Sequence, residues 1–195
     1  MRGFLLSDAS PDLCEEFNAT AEAFGRCEDE FTLSALLTKY SLLQNHKLRD
    51  SPQKNALACR LFDTGIKMLE PCLQEPTRSP YESENDALKA IMERLLKPES
   101  RDFIPSHAVA TLADTGLEFL RRAEKATREM FQGDNSSTYR QCKDYQGAMI
   151  KMSQTLLSYA DQFGAVANER AMSVTTSQPI APSRPIALKS AAATS

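Results

Sequence analysis

The residue types able to do chemistry are few and widely spread in this chain. Cys14, Cys27, Cys59, Cys72 and Cys142, with His46 and His107, are the candidate nucleophiles, bases and metal ligands. The sequence has no CxxC pair, no HExxH and no two imidazoles at helical spacing, so the ligand spacing of a zinc site is missing. Each cysteine lies on or beside an apolar stripe, where a thiol behaves as a small buried hydrophobe. A Cys–His pair that meets only in space stays open at this level. The glycines form no phosphate-cradling loop. Glu28-Asp29-Glu30 stands at a helix start, where carboxylates suit the helix dipole. The chain is therefore read as a non-enzyme that needs neither metal nor cofactor.

One cluster of charge is local. In "FLRRAEKATRE", Arg121, Lys125 and Arg128 recur at i, i+4 and i+7 and share a helix face, with Arg122 beside them. Glu118, Glu124 and Glu129 are interleaved, so one reading is a solvated, salt-bridged face. The other is a basic rim, Arg121, Arg122, Lys125 and Arg128, that receives an acidic amphipathic helix in a groove between two helices. A nucleic-acid surface is disfavoured because aromatics are not interleaved with the cluster and the net charge is −3.

The elements that must position these groups are helical. With 42% hydrophobic and 25% charged residues in 195, the chain can bury a core, and no apolar run approaches the roughly 20 residues of a membrane span. The start, "MRGFLLSD", is too short and too quickly polar for a signal peptide, and the odd, scattered cysteines read as reduced thiols of a cytoplasmic protein. The prolines fall where apolar patterns begin or end. Ser10-Pro11, Ser51-Pro52 and Ser79-Pro80-Tyr81-Glu82 read as caps followed by proline, the last as a capping box with Ser79 at the N-cap. Three-and-four spacing predicts helices near 10–24, 29–48, 52–69, 81–96, 106–131 and 137–163. In the fifth, Val109, Leu112, Ala113, Gly116, Phe119, Leu120, Ala123 and Met130 form the expected core face. In the sixth, Cys142, Tyr145, Met149, Met152, Leu156, Tyr159 and Phe163 make a strict heptad seam. The expectation is an all-α protein of about six helices in antiparallel bundles. Beyond about residue 173, "SVTTSQPIAPSRPIALKSAAATS" lacks aromatics and is expected to be a disordered tail.

Several blocks then occur in an order that resembles a known family. "LLQNHKLRDSP" runs into Cys59-Arg60-Leu61-Phe62 and Gly65-Ile66-Lys67, followed by "DALKAIMERLL", "TLADTGLEFLRRAEKA" and "YQGAMIKMSQTLLSYADQFG". This resembles the N-terminal region of the vacuolar sorting adaptors of the LYST-interacting protein (Vta) family, which regulate the ESCRT AAA ATPase. The sequence departs from the family in having no tryptophan. The resemblance implies an MIT-like fold with two bundles, at 29–100 and 101–170, beside which the residue pattern sets an extra N-terminal helix in 1–28 and a tail from 171 to 195. It implies that Cys59, Leu61, Phe62, Gly65 and Ile66 are packing residues of the family-like motif. It also implies an adaptor peripheral to endosomes in the multivesicular body pathway, whose partners are the C-terminal tail helices of ESCRT-III-like subunits. The family engages the ATPase through a C-terminal domain that this sequence does not contain. The rival expectation is a self-associating helical scaffold or effector that pairs through the heptad seam.

Overall fold

The computed structural model describes residues 11–27, 30–46, 52–75, 77–132 and 136–176. Among them are seven α-helices: α1 (Pro11–Gly25), α2 (Glu30–Gln44), α3 (Pro52–Lys67), α4 (Glu70–Gln74), α5 (Glu82–Leu95), α6 (Ala108–Gln132) and α7 (Ser136–Thr176). A single 3-10 turn, Arg101–Phe103, precedes α6. The protein is all-α, as the spacing predicts, and no strand occurs among the described residues. None of these helices is long and apolar enough to cross a membrane.

The helices bury the stripes that the sequence marks. α1 lies against α2 and α3, and α2 and α3 both pack on α5. Phe17 and Phe24 of α1, Leu37 and Tyr40 of α2, Leu61 and Phe62 of α3, and Leu88, Ile91 and Met92 of α5 are almost fully withdrawn from solvent. Phe24 meets Tyr40 edge to face at 6.4 Å. α6 and α7 form a long antiparallel hairpin: Gln146 donates to Thr127 at 2.6 Å near its closed end, while Gly116 faces Leu156 and Leu157 farther along. α5 touches α7, and the buried residues form one continuous cluster from Phe17 to Phe163.

Gly116 sets how closely the two long helices approach. A Cβ there would sit 3.0 Å from Leu157 Cγ and 3.3 Å from Leu156 Cβ. Gly65 does the same between α3 and α5, where a Cβ would meet Met92 Cε at 3.2 Å. The glycines let backbones close on bulky neighbours, which a helix interior otherwise favours Ala to do.

Several boundaries differ from expectation for identifiable reasons. α3 stops at Lys67 and not at 69, because the ring of Pro71 would meet the Lys67 carbonyl four residues back. A separate short helix, α4, begins there. α5 begins at Glu82 with Tyr81, not Ser79, as its N-cap. Glu84 fixes this start: its carboxylate accepts from Tyr81 N–H at 2.9 Å and from Arg78 at 2.7 Å. Ser10 and Ser51, the other expected caps, lie outside the described residues. α2 ends at Gln44, short of 48, where Lys54 Nζ donates to the carbonyls of Gln44 and His46 at 2.6 Å each. α7 does not end at Phe163 but continues to Thr176. Its seam runs on through buried Val166 to Arg170, which pairs with Asp102 at 3.6 Å, and Glu169 pairs with Arg101. These crossed ion pairs hold the last turns of α7 to the 3-10 turn. Residues 177–195, most of the expected tail, lie outside the described residues.

Leu61 is fully buried, so Leu61→Ala is expected to lower unfolding free energy by about 2–5 kcal/mol, measured by denaturant titration. Gly116→Val should lower it by about 1–3 kcal/mol through overpacking against Leu157, while the same change at solvent-facing Gly147, which has nothing within 4 Å of its Cβ position, leaves the helix crossing intact.

Candidate functional site

Cys59 and Cys72 lie in surroundings that disfavour the thiolate. Cys72 is fully buried, its Sγ donates to Glu84 Oε2 at 3.3 Å, and burial, with Glu84 beside it, pushes the thiol up to about 12. Cys59 is half-buried, and desolvation followed by the charge of Asp63 raises its pKa as well. A nucleophilic cysteine needs the opposite shift, from a neighbouring cation or helix N-terminus. His107 stacks edge-on against Phe62 at 5.5 Å and lies 3.9 Å from Asp63, and His46 is exposed. Among the described residues, no three His, Cys, Asp or Glu side chains gather as a metal site would need.

Ionic groups around two clefts among the described residues are already engaged. The larger, about 390 Å³, lies among α1, α3 and α5, with Thr64, Lys67, Arg78 and Glu84 on its walls. Thr64 donates to the Arg60 carbonyl at 2.8 Å, and Glu84 is committed to Arg78 and the start of α5. The smaller, about 170 Å³, lies between α5 and α7 beside Asn85, with the Glu82–Lys151 ion pair, 2.8 Å long, among its lining residues.

The family-like motif is core. Leu61 and Phe62 are buried, Gly65 receives Ile91 and Met92, and Cys59 and Ile66 are half-buried beside them. Arg60 projects outward, and Lys67 reaches the Gly25 carbonyl at 3.5 Å.

The expected basic rim divides in two. Arg122 does not stand on it. Its guanidinium turns inward, donating to the Cys72 carbonyl at 2.6 Å, to the Leu73 carbonyl, and to Glu118 at 3.1 Å. It therefore closes the C-terminal end of α4, where carbonyls lack helical donors and a cation suits the dipole. Arg121, Lys125 and Arg128 remain on the outer face, paired along α6 with Glu118 at 3.5 Å, Glu129 at 3.9 Å and Glu124 at 2.6 Å. Such exposed pairs along one helix hold their partners weakly.

Beside that face lies an apolar shoulder which the sequence reading misplaced. Leu120, expected in the core, is 45% exposed, and Leu117 is 41% exposed. The buried seam of α6 is Leu112, Gly116, Phe119, Ala123 and Ala126, and helical phase turns Ala113, Leu117 and Leu120 to its flank. On α7, Ile150 and Leu157 are half-buried on the flank away from α5. Since Arg122 faces α4 and the opposite flank of α7 faces α5, helical phase places these five apolar residues on the remaining side of the hairpin among the described residues. The angular offset of Leu117 and Leu120 from the strict seam is the signal that could have located them.

No family model, no curated protein and no solved structure matches the chain.

Arg122→Ala should cost about 1.5–3 kcal/mol, because it leaves two carbonyls without their charged donor, whereas Arg121→Ala should stay within about 0.5 kcal/mol in the same titration. Burial also raises Tyr159 to about 12, so folding retains the protons of Cys72 and Tyr159 to higher pH than the unfolded chain does. That stabilisation is complete at neutral pH and is lost as pH climbs toward 12. Thermal unfolding should therefore occur at falling temperature above the ordinary thiol range, with a shallower fall in Cys72→Ala. At neutral pH native Cys72 should resist iodoacetamide, and Cys59 should react more slowly than a free thiol; rapid alkylation of either would contradict this account.

Proposed function

We propose that this protein is a non-enzymatic adaptor that docks an acidic, leucine-bearing amphipathic helix on the free side of its α6–α7 hairpin. The observation that carries this reading is the exposure of Leu117 and Leu120 beside Arg121, with Arg128 farther along the same helix. Apolar positions at helical spacing accept the leucines of a partner helix, and flanking cations meet its carboxylates. Ala113, Ile150 and Leu157 extend the apolar strip across both helices. Lys125 adds a third exposed cation to the rim, and Arg122 has no part in it because it is engaged with α4.

The resemblance to the MIT-containing vacuolar sorting adaptors names the partner class: tail helices of ESCRT-III-like subunits, bound at the surface of endosomes. Acidic helices with spaced leucines are the chemistry that this strip fits. The self-associating scaffold that pairs through the heptad seam is the weaker reading, because Met149, Met152, Leu156 and Phe163 are already buried within the chain.

Isothermal titration with acidic ESCRT-III tail peptides tests the proposal. Binding is expected for the leucine-bearing peptide and not for one with its leucines replaced by serine. Arg121→Glu with Lys125→Glu should weaken binding by about tenfold or more while leaving the melting temperature nearly unchanged. Leu117→Ser with Leu120→Ser should abolish it. Absence of heat at about 1 mM peptide overturns the proposal.

A further inference from the structure

Asn85, in the first turns of α5, is a buried amide with no structural duty. It is 3% exposed, and neither its Oδ1 nor its Nδ2 has a hydrogen-bond partner among the described residues. It does not cap the helix, because Glu84 already accepts from Tyr81 N–H at 2.9 Å. Other buried polar side chains are used: the Gln44 amide donates to the Lys54 carbonyl at 3.0 Å, and the Thr20 hydroxyl to the Glu16 carbonyl at 2.8 Å. The buried hydroxyls of Tyr40 and Ser100 face each other. An amide left unmade costs the fold its full desolvation, so an apolar residue of similar size would pack here more cheaply. Asn85 also lines the cleft of about 170 Å³ between α5 and α7. Burial without a partner, at the wall of a cleft, marks this amide as a recognition group.

We propose that this cleft binds a free amino acid with a carboxamide side chain, glutamine or asparagine. An amide presents a donor and an acceptor side by side, and its complement is another amide. A carboxylate brings acceptors alone and an ammonium donors alone. Glu82 and Lys151 line the same cleft, 2.8 Å apart and both exposed, so their pairing is weak and open to exchange. Lys151 takes the ligand's α-carboxylate and Glu82 its α-ammonium. The two rim charges cancel, so a zwitterion leaves neither unbalanced. Ala148 and Met152 supply an apolar wall for the aliphatic carbons, and the unbranched Met152 side chain can shift to admit the carboxamide to Asn85. Size selects the class as well: the cleft is below the roughly 300 Å³ at which sites for drug-sized ligands begin, and suits a single amino acid. It lies on the α5 side of α7, apart from the apolar strip, and does not depend on what docks there.

NMR of the isotope-labelled full chain tests this, with the side-chain amide resonances of Asn85 assigned through their connectivity to its backbone. Titration with glutamine or asparagine to about 20 mM should shift them saturably, with a dissociation constant of about 1 mM or below for at least one of the two. Glutamate and leucine should bind at least tenfold more weakly, because neither offers Asn85 a donor and an acceptor together. N-acetylglutamine amide, which keeps the carboxamide and loses both charges, should also bind at least tenfold more weakly. Asn85→Ala should abolish binding. Lys151→Met, at an exposed position that leaves the fold intact, should weaken it by about tenfold. No shift with either carboxamide amino acid overturns the proposal. Equal affinity for leucine, glutamate or N-acetylglutamine amide overturns it too, as does unchanged affinity in Lys151→Met.

Discussion

The close contact of α6 and α7 is the constraint on which the other arrangements rest. Two long helices meet along an apolar seam, and the absence of a side chain at Gly116 lets Leu156 and Leu157 lie against the opposing backbone. This contact uses one side of each helix. α5 takes another side of α7, and Arg122 ties a second side of α6 to the end of α4. Among the described residues, Leu117 and Leu120 on the remaining flank are partly exposed, on the same helix as the exposed Arg121. The candidate docking strip is thus a by-product of how the hairpin is held.

Cations from distant parts of the chain close helix ends in two places. Lys54 serves the carbonyls at the end of α2 and lies over the ring of Phe103 at 5.7 Å; Arg122 serves those at the end of α4. Burial lowers the Lys54 pKa, the expected direction for an ammonium taken from water. Both residues satisfy orphan acceptors that a buried helix end would otherwise leave unmade. The crossed pairs of Arg101 with Glu169 and Asp102 with Arg170 do comparable work at the surface, fastening the extension of α7. Charge in this protein therefore belongs as much to architecture as to recognition, and the basic cluster of α6 contains both kinds.

α2 departs from the one-sided pattern of its neighbours. A helix at the edge of a bundle needs one apolar stripe to join the core, and a second opposite stripe contributes nothing to that packing. Phe31 and Leu42 expose apolar surface to water with no return inside the folded chain.

The sequence alone determined that the chain is helical and placed six of its seven helices, because the three-and-four repeat of apolar residues is a property of consecutive positions. It located the seam from Met149 to Phe163, and the structure buries Met149, Met152, Leu156, Tyr159 and Phe163. It also marked Arg121, Lys125 and Arg128 as an outward group. Only the tertiary structure decided that Arg122, one residue along, turns inward, since its acceptors lie 50 and 49 positions earlier in the chain. The same holds for Leu120, whose spacing fits a core face but whose side chain stays partly exposed, and for the turns of α7 beyond Phe163, joined to partners near residue 101. Periodicity reports which residues share a side of a helix. Which sides find a partner, and which orphan carbonyls find a donor, depends on contacts between segments far apart in sequence, and no local pattern encodes those.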